Sequence, residues 1–266
     1  MDPILHQLPG EGRERILISV SLPLFRTPGS WAKLVELVFF PSFCRLCEGL
    51  LDRPGERVVC TDCWGKIRPC LSSICPVCGK FYEGAGESHL CRRCVDRRPP
   101  FSFHRSCGRY DGTLKDLVLL FKYRRFSVLG KGLAGFAFQA VGGDEGLWRG
   151  IDALVPVPLH PLRKRERGFN QAQVFAEELA KLKGLDLGDG ALIKVRNVPP
   201  QTSLEAGDRA ENVRGAYLVR RDNKVRGKVL LLADDVYTTG STLKECSRTL
   251  LAAGAKEVRA ITIAQA

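Results

Sequence analysis

Apolar residues first recur at helical spacing in Trp31, Leu34, Val35, Leu37 and Val38, which predicts a short amphipathic helix from Trp31 to Phe40 that Pro41 ends. Residues 1–29 keep no period and carry Pro and Gly at close intervals, so they read as a loosely held, flexible arm. Between Cys44 and Cys94 the apolar positions are too few and too scattered to build a core of their own. From Phe101 the pattern turns regular. Strand-like runs at 101–110, 152–157, 192–195, 217–219, 229–232 and 257–263 punctuate helical stripes at 114–123, 129–141, 170–183 and 241–253. Repeated alternation of strand and helix predicts an α/β fold with a mostly parallel sheet covered on both faces. The chain thus divides into an arm (1–29), a helix plus a cysteine-rich module (30–100), and an α/β domain (101–266).

The cysteine-rich module repeats itself. Cys44-x-x-Cys47 is followed after twelve residues by Cys60-x-x-Cys63, and Cys75-x-x-Cys78 after twelve residues by Cys91-x-x-Cys94. Each Cys-x-x-Cys turns two sulfurs to one side of a tight turn, and two such turns complete the thiolate tetrahedron that zinc prefers. Four evenly spaced pairs without a thioredoxin-like setting disfavour redox chemistry or a disulfide framework. About two structural zinc ions are expected, with the folding energy of the module supplied by the metal. Spacing leaves open whether ligands pair within each repeat or interleave between repeats. Gly49 and Gly79, just after two of the knuckles, suit turns that need a positive φ. Cys70, Cys107 and Cys246 are left over as ordinary cysteines.

Charge adds a class of partner. The formal net charge is +12, which eight zinc-bound thiolates and two dications would lower to about +8. Either value favours anions, whether phosphorylated metabolites or nucleic acid. The apolar run Ile16 to Val20 is too short and too soon interrupted by Pro23 to span a bilayer or act as a secretion signal, so no membrane insertion and a cytoplasmic location are expected.

The stretch Val229-Leu230-Leu231-Leu232-Ala233-Asp234-Asp235-Val236-Tyr237-Thr238-Thr239-Gly240-Ser241-Thr242 concentrates the chemistry. It reads as a buried strand, two carboxylates, a small polar loop and a helix start. Ligands of open parallel sheets bind outside the carboxyl ends of strands, where Asp234 and Asp235 emerge to accept hydrogen bonds from vicinal hydroxyls. The loop then offers backbone N–H groups and hydroxyls at a helix N-terminus, where a phosphate is favoured, and Gly240 permits close approach. Diol acceptors beside phosphate donors describe a ribose 5-phosphate. No Walker lysine and no GxGxxG motif competes with that reading.

This stretch resembles the 5-phosphoribosyl-1-pyrophosphate (PRPP) signature of type I phosphoribosyltransferases. Combined with the paired cysteine knuckles, the chain resembles the ComF family of competence-associated proteins over residues 31–266. Phe121-Lys122-Tyr123-Arg124, Val155-Pro156-Val157-Pro158-Leu159-His160, Arg165-Glu166-Arg167-Gly168-Phe169-Asn170-Gln171 and the span from Gln201-Thr202 to Asn212-Val213-Arg214-Gly215 resemble the family as well, with Arg125 and Ala233 standing where Gly and Val are expected. The resemblance implies a Rossmann-like type I phosphoribosyltransferase fold behind a double zinc ribbon. It implies PRPP bound with Mg²⁺ by Asp234 to Thr242, with Asp234 and Asp235 as the catalytic pair. On the pyrophosphate side it points to the loop Val155 to His160 and a basic loop continuing from it, with Lys122, His160, Arg163, Arg165 and Arg167 as the candidate residues and Lys164 beside them. On the acceptor side Phe169, Asn170 and Gln171 could stack on and read a base, and Gln201 to Arg214 would close over the ligand. Two functions follow from it: a phosphoribosyltransferase, or a non-catalytic PRPP-responsive protein that binds single-stranded DNA in DNA uptake, with a competence helicase as a possible partner. In the second case Trp64, Phe81 and Tyr82 could stack on bases.

Overall fold

The computed structural model describes residues 41–51, 58–70, 73–83, 86–123, 126–197, 213–220 and 222–266. The arm, the helix expected at 31–40 and most of the loop at 201–214 lie outside the described residues. Ser42 to Ala266 pack as one compact unit.

In each cysteine repeat a one-turn helix, α1 (Thr61–Trp64) or α2 (Arg92–Asp96), starts directly after the third cysteine and carries the fourth. The positive φ that closes the knuckle falls on Glu48 (60°) in the first repeat and on Gly79 (65°) in the second, so Gly49 is not the special position. Gly79 is needed sterically as well, since a Cβ there would lie 2.6 Å from the His104 carbonyl oxygen.

The larger layer begins with β1 (His104–Arg109), followed by α3 (Gly112–Tyr123), α4 (Leu129–Val141) and the short α5 (Glu145–Trp148). Next come β2 (Ala153–Pro156), α6 (Pro161–Arg167), α7 (Gln171–Lys183), β3 (Asp186–Leu187), β4 (Leu192–Lys194) and β5 (Tyr217–Val219). β6 (Val229–Tyr237), α8 (Ser241–Ala252) and β7 (Glu257–Gln265) complete the chain. The main sheet has the order β1-β7-β6-β2-β3 and is parallel throughout.

Two expectations are corrected here. The strands at 192–194 and 217–219 leave the main sheet and pair antiparallel as a separate ribbon. The basic stretch after His160 is not a loop but α6, which His160 caps by accepting from the Leu162 N–H, and which Gly168 ends at φ 86°. Pro161 at its first position suits a helix start, since its missing N–H would be unpaired there anyway.

The central strand shows why the sheet is buried on both faces. Leu230 and Leu232 point into one apolar cluster and Leu231 into the other, and all three are fully buried. Truncating any one of them to Ala should cost about 2–5 kcal/mol. Each zinc ribbon belongs to a different cluster. Cys44, Leu51, Val59 and Cys63 pack with α3, α4 and α7, whereas Cys75, Val77, Cys78, Cys91 and Cys94 pack with Tyr237 and α8. Trp64 covers Gly132 of α4, where a Cβ would meet the indole at 2.5 Å, and Tyr82 stacks on His89 at 4.1 Å, so both aromatics serve packing.

Candidate functional site

β6 does not stop where its apolar run stops. The ladder with β7 continues past Leu232 through Asp234, opposite Thr262, to Tyr237, opposite Gln265. Asp234 and Asp235 are therefore held in regular strand geometry, with their charges close enough to act on each other. Asp235 is buried and meets the Lys122 ammonium at 3.1 Å. Burial opposes the charge on Lys122, but the adjacent carboxylate outweighs it and holds the amine above its usual pKa. Asp234 sits in a crevice and accepts the Asp235 N–H at 2.9 Å. Desolvation, reinforced by the neighbouring Asp235 charge, pushes its carboxyl up to about 7, against the opposing pull of Lys122 and Lys194.

Lys194 is a site residue that sequence reasoning missed. It ends β4, is itself pulled below the ordinary lysine range by burial, and feels Asp234, Arg163 and Arg167. A three-residue strand of Leu-Ile-Lys carries no motif, so only the tertiary placement of β4 could reveal it.

Beyond the carboxylates the chain turns sharply into α8. Gly240 adopts φ 74°, and any Cβ there would strike the Tyr237 ring at 2.5–2.7 Å. Thr239 and Ser241 hydroxyls lie 2.8 Å apart beside the helix N-terminus, which presents its free N–H groups to an anion. Val236 is half-buried and Thr238 exposed, while Thr242 lies half-buried in the first turn of α8. The Tyr237 ring is turned inward and stacks on His104, with centroids 4.4 Å apart. His104 in turn bonds the Cys78 carbonyl and the Thr262 hydroxyl, each at 2.9 Å, and burial holds its pKa down to about 4, so it is neutral. Arg93 of α2 donates to the Thr239 carbonyl at 3.3 Å. The second ribbon thus buttresses the loop from below and from the side.

The basic helix is only partly committed to this site. Arg163 and Arg167 lie on its half-buried face, whereas Lys164 and Arg165 are exposed. Arg163 pairs with Glu166 at 3.0 Å, and Arg167 lies over the Tyr123 ring while donating to Gln171 at 3.1 Å. The acceptor-side residues are occupied within the fold. Asn170 caps α7 through the Ala172 N–H and donates to the Val157 carbonyl at 3.0 Å. Gln171 is buried and donates to the Phe121 and Lys122 carbonyls, and Phe169 packs on Phe121.

The cysteines pair within each repeat. Cys44, Cys47, Cys60 and Cys63 form one cluster and Cys75, Cys78, Cys91 and Cys94 the other, with all sulfurs of a cluster within 4.8 Å. Sulfur spacings of 3.9 Å (Cys44–Cys63), 3.6 Å (Cys47–Cys60) and 3.5 Å (Cys78–Cys91) match the edges of about 3.8 Å expected for a tetrahedron with zinc–sulfur bonds of about 2.3 Å. Burial opposes ionisation of Cys44, yet the N–H groups of Cys60, Cys47 and Leu46 outweigh it and bring the thiol down to about 6. Both clusters fit a structural, fully ligated zinc. Burial pushes up the thiols of Cys107 and Cys246, which matches their reading as unreactive packing residues.

Comparison with known proteins agrees with this geometry. A double zinc ribbon domain family matches residues 35–109, and a phosphoribosyl transferase domain family matches residues 166–266. The chain is 33% identical over 222 residues to the DNA utilization protein YhgH of Salmonella typhimurium, covering 82% of this chain and 95% of that protein. It belongs to the ComF family. Further ComF relatives are competence protein F of Haemophilus influenzae, 28% identical with 86% of this chain and 99% of that protein covered, and competence protein ComFC of Bacillus subtilis, 29% identical with 79% and 89% covered. Among the described residues no helix is long and apolar enough to cross a membrane.

Proposed function

We propose that this ComF-family protein binds PRPP with Mg²⁺ and serves the handling of incoming DNA in the cytoplasm. The observation that carries the first part is the pair Asp234 and Asp235 at the end of β6, followed directly by the loop Thr238 to Thr242 at the start of α8. The carboxylates accept the ribose diol, and the loop N–H groups and hydroxyls of Thr239 and Ser241 hold the 5-phosphate. Lys194, which feels Asp234, Arg163 and Arg167, would join those two arginines in neutralising the pyrophosphate, with Lys122 fixing Asp235. Mg²⁺ bound to the pyrophosphate would draw charge from the departing group. In turnover, Asp234 and Asp235 would orient the ribose and stabilise positive charge at its anomeric carbon.

The cellular setting rests on the relatives, which are named for competence and DNA utilization. Single-stranded DNA and a competence helicase are the partners this setting suggests. A second reading, PRPP sensing without turnover, is favoured by one observation: Phe169, Asn170 and Gln171 are all spent inside the fold. Titration calorimetry with Mg·PRPP tests the first reading. Wild type should bind, and Asp234→Asn/Asp235→Asn should lose at least about tenfold in affinity, which is about 1.4 kcal/mol, with zinc content unchanged. Unaltered affinity in the double variant would refute the assignment. Pyrophosphate release in the presence of nucleobases or amines then separates transferase from sensor.

A further inference from the structure

A cavity of about 600 Å³ opens from the phosphate loop itself, between α2, residues 99–100, Arg214 and α8, with Thr239 and Ser241 in its wall. Six cations line it: Arg93, Arg97, Arg98, Arg214, Lys244 and Arg248. Its two carboxylates are spoken for, Glu245 by Arg248 and the Gly215 N–H, and Asp96 by Arg92 at 3.9 Å. Arg93, Arg97, Arg98, Arg214 and Lys244 have no carboxylate within 4.0 Å among the described residues. Burial, with Arg93 close by, holds Lys244 below the usual lysine range against the opposing pull of Cys94 and Cys78.

Five cations with no carboxylate partner among the described residues exceed what one terminal phosphate calls for. Because the cavity starts at the same two residues that would hold the ribose 5-phosphate, it lies where a substituent on that phosphate would run. A substituted 5-phosphate is a phosphodiester. The opposite end of the ligand is set by Asp234 and Asp235, which call for two free vicinal hydroxyls. Among nucleic acid strands, a nucleotide that combines a 5-phosphodiester with a free 2′,3′-diol is the 3′-terminal nucleotide of an RNA. We propose, building on the ribose-phosphate reading of this site, that the site also accepts the 3′ end of an oligoribonucleotide, with the preceding phosphodiesters lying in the cationic cavity. The terminal ribose sits on Asp234 and Asp235, its phosphate on Thr239 and Ser241, and the strand leaves past Arg97 and Arg98. PRPP and the RNA end then compete for one ribose site, while only the RNA uses the cavity.

The test uses the full-length, zinc-loaded protein and a ten-nucleotide RNA labelled at its 5′ end, followed by fluorescence anisotropy. The same RNA with a 2′,3′-dideoxy terminus and DNA of the same sequence are the comparison ligands. The RNA with its diol should bind at least about tenfold more tightly than either, with affinity falling steeply as salt rises, and Mg·PRPP should displace it. Arg97→Glu/Arg98→Glu, both exposed and without a carboxylate partner among the described residues, should lose about tenfold or more in RNA affinity while the PRPP affinity stays within about twofold. Equal binding of RNA, dideoxy RNA and DNA, or RNA binding that PRPP does not displace, overturns the inference and leaves PRPP binding standing. A wild-type protein that fails to bind PRPP at all overturns the ribose-phosphate reading instead.

Discussion

Asp234 sits in an environment far from that of a carboxyl in solution. Its carboxyl is moved from 3.8 to about 7 because it loses water and faces Asp235, so ionising it costs folding free energy. The sign follows from linkage. A carboxyl whose folded pKa is raised carries no penalty below its unfolded pKa, and the penalty grows as pH rises from about 4 and is complete above about 7. Asp234→Asn should therefore be more stable than wild type at pH 8, by on the order of 2 kcal/mol, and indistinguishable near pH 4. Urea denaturation of the ligand-free protein at both values checks this, and a constant difference across pH would exclude it. A site that stores this repulsion is set to be relieved by a ligand bringing hydroxyl donors and a cation. Gly240 shows the other kind of residue-level demand, a left-handed turn pressed directly against the Tyr237 ring.

The loop Thr238 to Thr242 is shared between β6, α8 and the second zinc ribbon. Cys78 reaches it through His104 and Tyr237, and Arg93 reaches it through the Thr239 carbonyl. Among the described residues the first ribbon shows no such link, and it packs instead on the helices of the other face. Cys75→Ser and Cys44→Ser should each remove about one of two zinc ions by elemental analysis. Their effects on PRPP should differ: Cys75→Ser weakens binding by about tenfold or more, Cys44→Ser by less than about threefold. Equal losses, measured on the folded fraction, would show that the loop does not depend on the second ribbon.

Across the whole molecule, the two ribbons close the two faces of one sheet. Cys44 and Cys63 sit in the same cluster as Leu231, and Cys75 and Cys78 in the same cluster as Leu230 and Leu232. Metal removal should then be felt by the entire unit from Ser42 to Ala266. Calorimetry with a strong chelator should show one cooperative transition lowered by more than about 5 °C, since each 1 kcal/mol lost shifts the midpoint by about 2–4 °C in a domain of this size. A separate early transition with the main one unmoved would mean that the ribbons fold apart from the sheet.

The features that short stretches of chain can encode were legible in the sequence: the thiolate repeats, the α/β alternation, and the strand, carboxylate pair, polar loop and helix start around the end of β6. Each depends on local spacing and on residue types whose chemistry has few alternative uses. Contacts between distant segments were not legible. Spacing could not tell that the cysteines pair within each repeat, because turn geometry is the same either way. Nor could it tell that β4 and β5 leave the sheet, carrying Lys194 to Asp234, since a three-residue apolar run is the same in either sheet. Asn170 and Gln171 look like free recognition groups until packing buries them against carbonyls that need donors. The cationic cavity exists only because Arg93, Arg97 and Arg98 from one end of the unit meet Lys244 and Arg248 from the other. Charge summed along the chain announces an anionic partner, but folding alone decides where the charges converge.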